Sequence, residues 1–118
     1  MQIGIDFLSI SPDIISKGND IAAKLTFESK NKSDTPVVSF TLSLLGTELP
    51  LFFIDQNNKK VKTLDFEQTI TNRWKKYVIP LTLCLDKKPK RSEAVLLKLV
   101  GKTADGGTQQ ELSQIICK

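Results

Sequence analysis

Apolar and polar residues alternate along most of this chain, and that period of two constrains its fold more than any other feature. Ile21, Ala23, Leu25 and Phe27 interleave with Ala22, Lys24, Thr26 and Glu28. Val38, Phe40, Leu42 and Leu44 interleave with Ser39, Thr41 and Ser43. Tyr77, Ile79, Leu81, Leu83 and Leu85 continue the pattern across Pro80, and Val95, Leu97 and Leu99 form a further row around Lys98. Successive side chains of an extended strand point to opposite faces, so each row buries one face and leaves the other in water. A helix needs apolar spacings of three and four. The best helical window, Gln109 to Ile116, is short and follows a turn, so strand is preferred there. Ser11 to Ile15 admits a single helical turn.

Turn signals separate the rows. Ser16 to Asp20, Asn31 to Pro36, Gly46-Thr47, Asp55 to Asn58 and Asp86 to Arg91 are rich in Gly, Pro, Asn and Asp. Asp105-Gly106-Gly107 reads as a tight hairpin, because adjacent glycines accept positive φ without steric cost. The expected strands are 3–10, 20–30, 36–45, 49–55, 60–70, 74–85, 93–103 and 109–117. Pro80 cannot donate to a ladder, so its strand is expected to be an edge there or to carry a bulge. A bulge would also account for Trp74 and Val78 sharing a parity that differs from Tyr77 and Ile79. Many short strands joined by turns define an all-β protein. The expectation is an immunoglobulin-like antiparallel β-sandwich of about seven to eight strands with two solvated outer faces. A length of 118 residues fits one domain over 1–118.

Composition narrows function. The chain contains no histidine. That removes a Ser-His-Asp triad, a Cys-His pair and a His-Glu-x-x-His zinc site. No EF-hand loop and no phosphate-binding glycine loop is present. Asp65 and Glu67, at i and i+2, have a spacing compatible with acid–base work and equally with a solvent-facing strand; the second is preferred. The chain is therefore expected not to be an enzyme and to need no cofactor or metal. The net charge of +4 is mildly basic, short of a dedicated DNA binder. Cys84 and Cys117 are too few for a disulfide framework and lack metal spacing. They read as two buried thiols of a reducing compartment, with one disulfide between neighbouring strands as the alternative. Met1 to Phe7 has neither the basic nor the apolar region of a signal peptide. No apolar run is long enough to span a membrane. A cytoplasmic protein is expected, or a secreted one if an upstream signal has been removed. Asn31-Lys32-Ser33 matches a glycosylation acceptor, which matters only in a secreted chain.

Ser11 to Asp20 followed by Ile21 to Lys30 resembles the opening of immunoglobulin-like sandwich modules, including adhesion modules. Gly18, with Leu25, Phe27, Phe40 and Leu42-Ser43-Leu44-Leu45-Gly46, is similar to the first half of an arrestin-like domain. Trp74 to Leu81 is similar to that family's Ile-Pro strand and to the Trp-x-x-Tyr-x-x-Pro strand of jelly-roll carbohydrate-binding modules. The chain lacks the paired cysteines of antibody domains, is short for an arrestin, and lacks the acidic cluster of calcium-stabilised carbohydrate modules. The resemblance implies a sandwich; a fold alone assigns no function.

Three candidate surfaces remain. Leu49 to Ile54 is apolar on both parities, which fits a strand buried on both sides or a short edge strand presenting Phe52 or Phe53 outward; Pro50 suits the edge. As an edge strand it would present Leu51, Phe52 and Phe53 to another protein chain, including a second copy. Trp74 and Tyr77 would alternatively stack a sugar or a base. Three basic clusters form the third surface: Lys59, Lys60 and Lys62; Arg73, Lys75 and Lys76; and Lys87, Lys88, Lys90 and Arg91. Gathered at one end, they would attract nucleic acid. The leading expectation is a non-enzymatic interaction or structural module that binds another protein.

Overall fold

The computed structural model describes residues 5–29, 37–45, 48–70, 75–103 and 106–118. Nearly every alternating row becomes a strand within a residue or two of its expected bounds. The strands are β1 Ile5–Ser11, β2 Ile14–Ile15, β3 Gly18–Ser29, β4 Val37–Leu45, β5 Leu51–Ile54, β6 Lys60–Val61, β7 Thr63–Thr69, β8 Lys75–Leu85, β9 Glu93–Thr103 and β10 Thr108–Cys117. They form two five-stranded sheets, ordered β1-β3-β8-β5-β6 and β2-β10-β9-β4-β7. No described residue is helical.

Two strands exceed the expected eight, for identifiable reasons. The 60–70 run breaks at Lys62, so that β6 pairs with β5 in the first sheet and β7 pairs with β4 in the second. A single run of residues thus serves both layers. The helical turn entertained over Ser11 to Ile15 is instead a cis Ser11–Pro12 bond followed by β2. β2 runs parallel to the end of β10, where Ile116 N–H donates to Asp13 O at 2.7 Å and Lys118 N–H to Ile15 O at 2.9 Å. The other pairings are antiparallel.

The inward members of every row meet in one core. Leu25, Phe27, Leu83 and Leu85 from the first sheet pack against Phe40, Leu42, Leu97 and Leu99 from the second. Four aromatic rings cross the sandwich in series. Tyr77 stacks on Phe27 at 5.5 Å, Phe27 tilts against Phe40 at 5.1 Å, and Phe40 stacks on Phe66 at 5.1 Å. This anchors β7, the outermost strand of its sheet, to the strand on the far side of the core. Such ring pairs contribute about 0.5–1.5 kcal/mol beyond the area they bury.

Pro80 lies opposite Lys24 of β3, while β5 pairs only with Leu83, Cys84 and Leu85. β8 is therefore an edge at Pro80, as its missing donor requires. The bulge considered there is absent, since the β3–β8 register is continuous from Ile21↔Leu83 to Ser29↔Lys75. The register shift falls between Gly18 and Ile21 instead. There Asp20 takes φ 54°, a left-handed conformation that Asp and Asn tolerate best. Gly106, at φ 92°, serves the β9–β10 hairpin, where glycine is needed. Asn31 lies outside the described residues.

Candidate functional site

On the second sheet, four strands contribute an apolar doublet, and a doublet places one member on each face. Ile15, Leu44, Leu97 and Ile115 are buried in the core. Their neighbours Ile14, Leu45, Leu96 and Ile116 therefore lie on the outer face. The register gathers them. Leu96 stands across from Leu45 on β4 and from Gln114 on β10. It is diagonal to Leu112, which pairs with Lys98, and to Ile116, which pairs with Ala94 and with Ile14. Diagonal neighbours on a sheet are about 7–8 Å apart, so these side chains form one surface. Ile14 is 50% exposed, Leu96 47%, Leu112 51% and Leu45 36%. The outer face of this sheet is thus apolar around Leu96, and not the polar face expected.

The same sheet ends in β7. Its outward residues Thr63, Asp65, Glu67 and Thr69 are exposed, while Leu64, Phe66 and Gln68 are half-buried. Thr41 donates its hydroxyl to Asp65 Oδ1 at 2.9 Å, fixing that carboxylate on the outer face. Beside the start of β7 is a cavity of about 310 Å³ lined by Asp55, Gln56, Asn57, Thr63, Leu64 and Asp65. The acid pair read as solvent-facing does face solvent.

A different arrangement closes the outer face of the first sheet. Cys84, opposite Phe52, donates its thiol to Asp86 Oδ1 at 3.0 Å and to Asn19 Oδ1 at 3.3 Å. Lys60 Nζ reaches both Asp86 oxygens at 2.9 Å. Hydrogen bonds from the Cys84 thiol and from Lys60 hold the Asp86 carboxyl below its ordinary range. The bond to Asp86 raises the Lys60 ammonium. Burial, and then Asp86, pushes the Cys84 thiol up. A thiol held protonated is a poor nucleophile and a poor metal ligand, so this cluster acts as a latch across β3, β6 and β8. Lys62 closes the corner next to it. Its ammonium donates to Leu49 O at 2.8 Å and Leu51 O at 2.6 Å and lies 4.6 Å from the Phe52 ring centre. Burial lowers its pKa.

The residues singled out from sequence are dispersed. Leu51 and Phe53 are fully buried, and β5 lies between β8 and β6. The expected edge strand is therefore an inner one, and of its three residues only Phe52 lies on an outer face, half-buried beneath Lys62. The reason is that β6 pairs with Phe53 and Ile54, while the Lys62 ammonium takes the Leu51 carbonyl. Tyr77 belongs to the core stack and offers no face to a ligand. Its intended partner Trp74, with Arg73, lies outside the described residues. The basic clusters divide. Lys60 is joined to Asp86, while Lys87, Lys88 and Lys90 line a cavity of about 220 Å³ with Leu49 and Pro50, so Lys59, Lys60 and the Lys87–Arg91 loop share one end. Lys75 and Lys76 begin β8 at the other end, about 33 Å away at ~3.3 Å per residue. Cys84 and Cys117 are free and buried, on strands of different sheets. Among the described residues no group of three or more His, Cys, Asp or Glu is placed to hold a metal ion. The described residues include no helix long and apolar enough to cross a membrane.

The signal that marks the apolar face was present in the sequence as Ile14-Ile15, Leu44-Leu45, Leu96-Leu97 and Ile115-Ile116. Nothing local says that the four outward members share one face.

No protein-family model and no curated protein sequence matches the chain. Solved structures do superpose on it. Spo0M, the sporulation control protein of Bacillus subtilis, superposes with a TM-score of 0.57 at 10% identity, over 100% of this chain and 50% of that one. The chain thus spans half the length of Spo0M. AvmM, which catalyses macrocyclization in alchivemycin A biosynthesis, superposes at 0.50 and 9% identity, over 98% of this chain and 88% of that one. AlkC, the alkylpurine DNA glycosylase of Pseudomonas fluorescens, in a structure bound to DNA containing an abasic site analogue, gives 0.46 at 12% identity over 99% and 30%. At these identities the likeness concerns the fold. It also corrects one expectation. The chain is expected from its sequence not to be an enzyme, yet AvmM, a catalyst, shares the fold over most of both chains. The sandwich fold by itself therefore does not set this chain apart from catalysts.

Proposed function

We propose that the chain is a protein-interaction module that docks a partner on the outer face of its second sheet. The observation that supports this best is the set of large apolar side chains around Leu96, held about half-exposed on regular strands. Exposing such a patch costs about 25 cal/mol per Å² relative to covering it. Contiguous apolar patches on ordered elements mark interaction sites more often than isolated ones do. Gln114, opposite Leu96, and Lys98, opposite Leu112, place polar groups among these side chains. The immunoglobulin-like identity, with its arrestin-like variant, belongs to the same proposal. Two sheets packed face to face and the bulged entry to β3 after Gly18 support it. A reducing, cytoplasmic setting is proposed with it, supported by two free buried thiols.

The test compares the wild-type chain with Leu96→Asp as bait for proteins of the native source, at low and high salt and with nuclease. The reading expects a defined protein that survives high salt and nuclease on the wild type and is lost on Leu96→Asp. Identical capture by the two baits, with both shown folded by circular dichroism, removes it. Sedimentation of the free chain tells whether that partner is a second copy.

A further inference from the structure

We infer that β7 is a docking edge for an extended, basic segment of another protein, added to the second sheet as one more strand. β7 pairs with β4 along all seven of its residues, and among the described residues no strand pairs with its other side. The N–H and C=O groups directed away from β4 are an open template for a further strand.

The other edges differ: β10 is paired by β2 only at Ile116 and Cys117, and β1 packs alongside it. β1 shifts register between Asp6 and Ser9. β2 and β6 have two residues each. The stretch of β8 not reached by β5 is interrupted by Pro80, which offers no donor. β7 contains no proline, and its register is unbroken from Val37↔Thr69 to Ser43↔Thr63. Its guard is charge alone.

That charge selects the occupant. Two copies meeting edge to edge through β7, antiparallel and centred on Phe66, place Asp65 of each opposite Glu67 of the other. Like charges in directly opposed positions are destabilising, so a second copy is disfavoured. A segment with Lys or Arg at two positions of the same parity reverses the sign, setting one cation against Asp65 and one against Glu67. Its intervening residue falls on the inner side, beside half-buried Leu64 and Phe66, where an apolar side chain covers what the edge leaves exposed. The cavity between the Asp55–Asn57 turn and Asp65 provides room for a long basic side chain one step further along. The partner chemistry is therefore an extended segment in which basic and apolar residues alternate. This edge lies two strands from Leu96, so it adds a second contact to the proposed function and is separable from it.

The test uses a fluorescently labelled nonapeptide alternating lysine and valine, with anisotropy for affinity and amide chemical shifts for location. Three controls accompany it: the glutamate–valine analogue, the lysine–valine peptide N-methylated at alternate residues, and the chain carrying Asp65→Asn with Glu67→Gln. Shift changes concentrated on residues 63–69 are expected, with affinity about fivefold weaker in the double variant from two lost cross-strand charge pairs. The glutamate and N-methylated peptides are expected not to bind measurably. Equal binding by the N-methylated peptide overturns the inference, because charge without backbone pairing then suffices. Absence of binding, or shifts confined to other residues, overturns it as well. Leu96→Asp, expected to leave peptide affinity unchanged, separates this outcome from that of the apolar face.

Discussion

The outer faces of the two sheets are built from strands of comparable length and similar sequence texture, and they end up with opposite characters. On the first sheet the outward residues of β3 are Ala22, Lys24, Thr26 and Glu28, and Val78, opposite Thr26, is the one exposed large hydrophobic among its described residues. Where that face has a thiol and a ring, at Cys84 and Phe52, two lysines and an aspartate cover them. On the second sheet Leu96, Leu112, Ile14 and Leu45 stay 36–51% exposed on the outer face, with Gln114 and Lys98 among them. Both faces pack the same core on their other side, so the difference does not come from core requirements. It teaches that outer-face character is an independent property, and that an uncovered apolar face needs an explanation that a covered one does not.

The comparison of inside with outside is sharpest at Leu96 and Leu97, adjacent residues on one strand. Leu97→Ala removes a fully buried side chain and is expected to cost about 2–5 kcal/mol. Leu96→Ala is expected to stay within about 0.5 kcal/mol. Urea unfolding of the two variants measures both; equal losses would mean that Leu96 is part of the core and that the apolar face is misassigned.

A smaller effect separates the two outer faces in binding. Leu45→Lys and Leu112→Lys are expected to weaken partner binding about tenfold or more with little change in Tm, in line with residues at an interface centre. Val78→Lys, on the first sheet, is expected to leave binding unchanged. Surface plasmon resonance against the captured partner reads the contrast, and an equal effect of Val78→Lys would abolish it.

Acid and base should act on the latch of the first sheet. The folded-state pKa of Asp86 is lowered, so its contribution is complete above the unfolded carboxylate value, about 3.9, and is lost as pH falls through the folded one. The Cys84 pKa is raised, so above about 8.5 the unfolded chain ionises first and stability falls as pH rises. Lys60, also raised, gives a contribution lost only as pH climbs past about 10.4. Thermal melts across pH should therefore show a plateau between these limits. Asp86→Asn should flatten the acid limb in part; an unchanged limb would show that other carboxylates carry it.

The smallest effect expected is chemical. Cys84 and Cys117 should react with an aromatic disulfide reagent far more slowly than a free thiol at pH 7, because both are buried and both pKa values are raised by that burial. Rapid labelling of Cys84 in the native chain would mean that the latch with Asp86 and Lys60 opens readily.

Most of the architecture could be read from the chain. The inward rows, the hairpin at Gly106 and the edge character at Pro80 follow from local rules of alternation and donor loss, which depend on residues one or two positions apart. The candidate site was less legible. Leu49 to Ile54 attracted attention because both its parities are apolar, but a buried inner strand produces the same pattern as an exposed edge. Tyr77, with Trp74, reads as a ligand platform because an aromatic ring suits rim and core alike.

What the sequence by itself determined is which residues extend and which side of each strand is apolar, since side-chain alternation is built into the backbone. Tertiary structure alone decided who sits beside whom. It placed Leu45, Leu96, Ile116 and Ile14 on one face, brought Lys60 to Asp86 and Cys84 to Asn19, and moved the chain between sheets at Lys62. Those outcomes depend on strand order and register across large sequence separations. They are fixed by the packing of the whole core and not by any one segment.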